Sequence, residues 1–127
     1  MGFLTGKTAI ITGAGRAVLK DGSCGSIGYG IDIAFAKEGA NLVITGRNVK
    51  KLEAAKQELE SLYGIKVLTV QADVCAGGNN EATVANVVKQ AVDTFGGIQV
   101  LINNAQASAS GVPLTEHTTE QFDLAIY

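Results

Sequence analysis

Short apolar runs alternate along the chain with longer segments in which apolar residues recur every three or four positions. The short runs are rich in Val, Ile and Leu on both faces, which is typical of strands that helices cover on each side of a parallel sheet. They predict four strands, over residues 7–12, 41–45, 66–71 and 98–103.

The longer segments between these runs carry helical periodicity and helix end signals. The first begins at Ser26, a good N-cap residue, and stops at Gly39. The third places Val, Ala and Phe at i, i+3, i+4, i+7, i+8 and i+11, along one face of a helix. The predicted helices cover residues 26–38, 48–63 and 80–95, and a fourth begins at Thr118 or Thr119 and continues to Tyr127.

The order of these elements predicts an α/β fold with a doubly wound, Rossmann-type parallel sheet. Right-handed crossovers between successive strands give the strand order 3-2-1-4, which is the N-terminal half of such a sheet. The sequence has no internal repeat, low-complexity tract or linker, so we expect residues 1–127 to form the N-terminal portion of a single domain. The second half of the fold is expected to lie beyond this chain.

Composition excludes several classes of function. The net charge is −2 without a basic block, which argues against a nucleic-acid partner. No apolar run approaches about 18 residues and the N-terminus does not resemble a leader, so we expect a cytoplasmic protein without a membrane partner. The two cysteines lack CxxC spacing and His117 is the single histidine, so no metal site is expected.

Glycine is concentrated between Thr12 and Gly30, directly after the first predicted strand. A loop at this place lies at the carboxyl end of the sheet and leads to a helix N-terminus, whose free N–H groups favour a pyrophosphate. A literal G-x-G-x-x-G is absent, so a flexible surface loop without a ligand is the alternative to a pyrophosphate site. The strand–loop–helix context favours dinucleotide binding.

The same loop resembles that of the short-chain dehydrogenases/reductases. Thr12-Gly13-Ala14-Gly15-Arg16 and then Ser26-Ile27-Gly28 match the family's T-G-x-x-x-G-x-G, split by nine additional residues, 17–25, and with Ser26 in place of a glycine. The resemblance continues through residues 36–40, 72–74 and 103–105, with Gln106 where the family has a final glycine. It therefore covers essentially the whole chain.

The resemblance implies a role for each matched residue. The residues expected to cradle the pyrophosphate are Gly13, Arg16, Ser26, Ile27 and Gly28. Asp73 and Val74 are expected to flank the adenine, with the Asp73 carboxylate accepting from the exocyclic amine, although a helix cap or turn is the alternative for Asp73. Asn104 and Ala105 are expected to line the ribose and to hold strand 4 against the first loop.

The end of the second predicted strand indicates which nicotinamide cofactor is bound. An NAD site needs an acidic residue there to accept from the ribose 2′-hydroxyl, and residues 45–48 contain none. Arg47 instead offers a planar cation that can pair with a 2′-phosphate, so we predict NADP(H). The alternative is an exposed arginine near a helix start without a ligand.

Within the family, the chain most resembles the bacterial 12α-hydroxysteroid dehydrogenases, which act on bile acids. Residues 40–48, 62–68 and above all 103–111, NNAQASASG, carry this resemblance, whereas Asp32 and the nine-residue extension depart from it. It implies a steroid or bile-acid substrate and a homo-oligomeric full-length protein. The Ser-Ile pair after a lengthened loop also resembles the family's divergent enoyl reductases, which are the alternative.

The family's catalytic pair, a tyrosine with a lysine four residues later, is absent from this sequence. Tyr29 is followed at that position by Ile33 and Tyr63 by Val67, and Tyr127 is the last residue. We therefore expect no catalytic residue in this chain and place the chemistry of an NADP(H)-dependent alcohol–ketone oxidoreductase in the missing half. A nucleotide-binding module without chemistry is the alternative.

Overall fold

The computed structural model describes residues 2–73 and 80–105, together with the single positions 115, 118 and 119. Strands and helices alternate through the described ranges. In chain order the elements are β1 (Thr8–Thr12), α1 (Ile27–Lys37), β2 (Asn41–Gly46), α2 (Val49–Tyr63), β3 (Val67–Gln71), α3 (Asn80–Phe95) and β4 (Val100–Ile102). No helix among the described residues is long and apolar enough to cross a membrane.

The strands form a parallel sheet in the order β3-β2-β1-β4, which confirms the predicted topology. In the register of the sheet, Ile11 of β1 stands opposite Ile44 of β2 and Ile102 of β4. All four strands run in the same direction, so their carboxyl ends meet at one edge. The loop that follows β1 lies at that edge.

Successive strand residues face opposite sides of the sheet, and each side has its own apolar cluster. Ile11, Leu42 and Ile44 pack with the α1 and α2 side chains that include Leu52 and Leu59. On the other side, the neighbouring strand residues Ile10, Val43 and Val70 pack with Val87 and Ala91 of α3. β1 and the interior of β2 are buried on both faces, which explains their continuous apolar residues, whereas Leu101 of β4 is exposed.

The helix ends follow from capping residues that the sequence shows. The Ser26 hydroxyl accepts a hydrogen bond from Tyr29 N at 3.2 Å and caps α1. Asn48 caps α2 by accepting from Lys51 N at 3.1 Å, and Gly64 ends that helix at a φ of 70°, where a side chain would be strained. These bonds fix where α1 and α2 begin, at the carboxyl edge of the sheet.

β4 is shorter than predicted, and side chains take part in the hydrogen bonding at both of its ends. Before the strand, the Gln99 side-chain oxygen accepts from Thr8 N at 2.7 Å. After it, the N–H groups of Asn104 and Ala105 both donate to the Thr12 hydroxyl at 2.9 Å. The helix predicted to run to Tyr127 lies outside the described residues, apart from Thr118 and Thr119.

Candidate functional site

A cleft of about 280 Å³ opens at the carboxyl edge of the sheet, beside the start of α1. The structure brings together most of the residues that the sequence singled out. The predicted residues that line the cleft are Gly13, Ser26, Ile27, Gly28, Arg47, Asp73, Asn104 and Ala105. Gly46 and Ala72 line it as well; the sequence reasoning missed both, although each immediately precedes a predicted residue.

The first turn of α1 lies directly against the loop that follows β1. A Cβ atom at Gly28 would stand 2.1 Å from Gly13 O and 2.7 Å from Asn104 Nδ2, closer than any real contact. Gly13 has a φ of 65°, and a Cβ atom added there would stand 2.9 Å from Ala105 Cα. Glycine is therefore required at both positions by the packing of the protein itself.

Asn104 joins the end of β4 to this loop, as the family resemblance implied. Its side-chain Nδ2 donates to Thr12 O at 3.1 Å and to Gly13 O at 3.2 Å. Its backbone N–H and that of Ala105 both donate to the Thr12 hydroxyl, which therefore links the end of β1 to the residues after β4. Thr12 was not predicted as a site residue, although it opens the T-G-x-x-x motif.

Arg47 follows β2 and is exposed at the cleft wall that also includes Asp73. Its carbonyl accepts from Gln71 Nε2 at 3.3 Å, which holds the backbone in place. Within the described part of the chain, no carboxylate forms a salt bridge with the Arg47 guanidinium. Among the described residues that line the cleft, Arg47 carries the positive charge.

Arg16 does not line this cleft. Its Nε donates to Glu58 Oε2 at 2.6 Å, and its backbone N–H donates to Lys51 O at 2.9 Å. The buried Tyr29 donates its hydroxyl to the other Glu58 oxygen at 2.5 Å. The part of Arg16 in pyrophosphate binding stays a prediction, and Val74 lies outside the described residues.

The charges of this cluster favour an ionised carboxylate. The hydrogen bonds from Tyr29 and Arg16 hold the pKa of the Glu58 carboxyl below its usual value. Burial, together with the bond to the carboxylate, raises the pKa of Tyr29, so the phenol keeps its proton. The cluster is therefore an arginine–carboxylate pair with a neutral phenol donor.

One buried carboxyl group in α1 has no such support. Asp32 is fully buried on the helix face that carries Gly28 and Tyr29, and among the described residues neither of its oxygens has a hydrogen-bond partner. Burial raises its pKa to about 9, so Asp32 is neutral at pH 7.

Comparison with known proteins places these features in one family. A family model, described as short chain dehydrogenase, matches residues 7–126 of this chain. The 12alpha-hydroxysteroid dehydrogenase of Clostridium sp. is 57% identical over 127 residues, which are 100% of this chain and 46% of that relative. The chain spans about half the length of the first curated relatives it matches.

Solved structures give the same match. L-Sorbose reductase from Gluconobacter frateurii, complexed with NADPH and L-sorbose, has a TM-score of 0.76 and 34% identity over 98% of this chain and 41% of its own. NAD⁺-bound xylitol dehydrogenase has a TM-score of 0.79 and 26% identity over 98% of this chain and 42% of its own. A nicotinamide dinucleotide is thus common to these neighbours, whereas its 2′-phosphate is not.

Proposed function

This chain belongs to the short chain dehydrogenase family, and we propose that its cleft binds NADP(H) for an enzyme that interconverts a secondary alcohol and a ketone. One observation carries the proposal. Eight of the ten residues predicted for a dinucleotide line one cleft at the carboxyl edge of the sheet, with Arg47 among them and no acidic residue at the end of β2. NADP(H) supplies the hydride in such chemistry.

The pyrophosphate is assigned to the start of α1. The first backbone N–H groups of a helix have no partner within it, and the helix dipole favours an anion there. Ser26 accepts from Tyr29 N and keeps its own hydroxyl proton available to a phosphate oxygen. We keep Arg16, which lies in the loop after β1 with its Nε bound to Glu58, as a proposed contributor to this site.

The remaining contacts follow the walls of the cleft. Asp73 is assigned to the exocyclic amine of the adenine, and Asn104 and Ala105 to the ribose. The resemblance assigns Val74 to the adenine as well, but this residue lies outside the described residues. Both side-chain hydrogens of Asn104 can be occupied by Thr12 O and Gly13 O, so this residue acts by fixing the shape of the cleft.

Arg47→Ala is expected to weaken the binding of NADPH roughly ten- to a hundredfold and to leave the affinity for NADH unchanged. A charge-assisted hydrogen bond contributes about 1.5–3 kcal/mol, and about 1.4 kcal/mol corresponds to tenfold in affinity. Fluorescence titration of both cofactors measures the difference. Lys50→Ala, which removes a cation from an exposed position outside the cleft, is the matched control. Equal losses for NADPH and NADH would remove the 2′-phosphate from the proposal.

The substrate class we propose is a 12α-hydroxy bile acid, handled by a cytoplasmic homo-oligomer. The identity of 57% to a 12alpha-hydroxysteroid dehydrogenase supports this choice over the sugar substrate of the L-sorbose complex. The protein that contains this chain should consume NADPH with a 12-oxo bile acid and not with L-sorbose. The reverse preference would contradict the substrate class and leave the cofactor assignment standing.

The 127 residues on their own are expected to bind NADPH without oxidising it. Tyr29 and Tyr63 are each followed at the fourth position by an aliphatic residue, so neither has the lysine that lowers the pKa of a proton-donating tyrosine. NADPH absorbance should stay constant when a 12-oxo bile acid is added. Turnover by a preparation of verified intact mass would place the chemistry within these residues. If a longer natural protein that contains this chain also leaves NADPH unoxidised, the result would favour a nucleotide-binding module without chemistry.

A further inference from the structure

Three segments that are distant in the sequence meet at one carboxylate. Glu58 lies on α2 and accepts from Arg16 Nε, in the loop after β1, at 2.6 Å. Its second oxygen accepts from the hydroxyl of Tyr29, in the first turns of α1, at 2.5 Å. Both carboxylate oxygens of Glu58 therefore accept a hydrogen bond. One donor, Arg16, precedes the additional residues 17–25, and the other, Tyr29, follows them.

The additional residues form a hairpin that is closed at its base. Gly25 N donates to Ala17 O at 2.8 Å, and Val18 and Cys24 form an antiparallel bridge. Leu19 N donates to Ser23 O at 2.8 Å near the tip. The hairpin therefore leaves the loop immediately after Arg16 and returns to it immediately before the cap residue Ser26.

We propose that Glu58 is a positioning residue for the cofactor cleft, which holds the two ends of the interrupted glycine-rich loop together across the hairpin. A longer loop has more conformations to lose when it closes around a ligand. A carboxylate that fixes Arg16 on one side and α1 on the other offsets that cost before the ligand arrives. This inference rests on the proposed function, because the cleft must bind a dinucleotide for the positioning to matter.

The same geometry divides the work between the two arginines. Arg16 is paired with Glu58 and lies outside the cleft, whereas Arg47 lines the cleft and has no salt bridge within the described residues. Glu58 acts on the loop and not on the 2′-phosphate. Its loss should therefore weaken NADPH and NADH by the same factor, unlike the loss of Arg47.

Trypsin measures the order of the loop without any cofactor. Trypsin cleaves after arginine and lysine, and the Arg16 side chain must be released from Glu58 before it can enter the protease. In the protein that contains this chain, Glu58→Gln should speed cleavage at Arg16 by about tenfold. Glu53→Gln, which removes the same charge from an exposed position on α2, is the control and should not. Equal rates for the wild type and Glu58→Gln would overturn the proposal.

Cofactor titration then tests the connection with the hairpin. Glu58→Gln should lower the affinities for NADPH and NADH by about tenfold each. In a variant that lacks residues 17–25, the same substitution should lower each affinity by less than about twofold. A tenfold loss that persists without the hairpin, or a loss for NADPH alone, contradicts the proposal. A wild-type protein that binds neither cofactor refutes the proposed function, while the cleavage rates still test the role of Glu58.

Tyr29→Phe gives a second measure that does not depend on the deletion variant. It keeps the buried ring and removes only the hydrogen bond to Glu58. Cleavage at Arg16 should speed up and both cofactors should weaken, each by a smaller factor than in Glu58→Gln. An unchanged cleavage rate and unchanged affinities would show that the bond from Tyr29 to Glu58 does not act on the loop.

Discussion

Gly28→Val is expected to abolish NADPH binding and to destabilise the fold by about 3 kcal/mol. The first atom of any side chain at this position would stand 2.1 Å from Gly13 O and 2.7 Å from Asn104 Nδ2. Both neighbours are fixed, since Gly13 has a φ of 65° and the Asn104 amide is bound to Thr12 and Gly13. The start of α1 must therefore move away from β1, and the proposed pyrophosphate site moves with it.

Thermal unfolding followed by circular dichroism, together with NADPH titration, measures both parts of this expectation. Gly30→Ala is the matched control, because it lies in the same helix and, among the described residues, its added Cβ would meet Cys24 Sγ alone, at 3.4 Å, an ordinary contact. Alanine is favoured over glycine inside a helix by about 1 kcal/mol, so this variant should be neutral or more stable. A Gly28→Val protein that unfolds at the wild-type temperature would show that α1 is not seated against Gly13.

The reason for this glycine illustrates what a single sequence can and cannot provide. The cluster after β1 indicates a close approach of the backbone to something, and a phosphate is the natural expectation for such a loop. The structure shows that at Gly28 the close neighbour is Gly13 of the same protein. A glycine in a sequence shows that space is needed, and only the fold shows what occupies that space.

Features that depend on local patterns were predictable, and those that depend on distant pairs were not. The strand order follows from the alternation of strands and helices with right-handed crossovers, and Ser26 and Asn48 are readable as caps. The hydrogen bond between Arg16 and Glu58 joins positions 42 residues apart, and no hydrophobic periodicity in the sequence predicts it. The short β4 has the same kind of cause, because Thr12 takes the backbone donors that follow the strand.

Asp32 leads to the second large expected effect, a stability that falls as the pH rises. Its pKa is about 9 in the folded protein and 3.8 for the free side chain, so the folded state holds one more proton between these values. The stabilisation is complete below the lower value and is lost as the pH rises through the higher one. The slope approaches about 1.4 kcal/mol per pH unit, because the buried carboxyl group must stay protonated while the unfolded chain ionises.

Asp32→Asn is expected to remove this slope, because an amide of the same size has no proton to lose. Urea unfolding at about pH 5.5, 7 and 8.5 should show the variant gaining on the wild type by several kcal/mol towards the alkaline end. Glu58 titrates below this window and Tyr29 above it, so neither shifted group competes. Asp93→Asn, at an exposed carboxylate paired with Lys89, should leave the wild-type slope unchanged. Parallel pH profiles for wild type and Asp32→Asn would mean that the Asp32 carboxylate finds a partner or water in the folded protein.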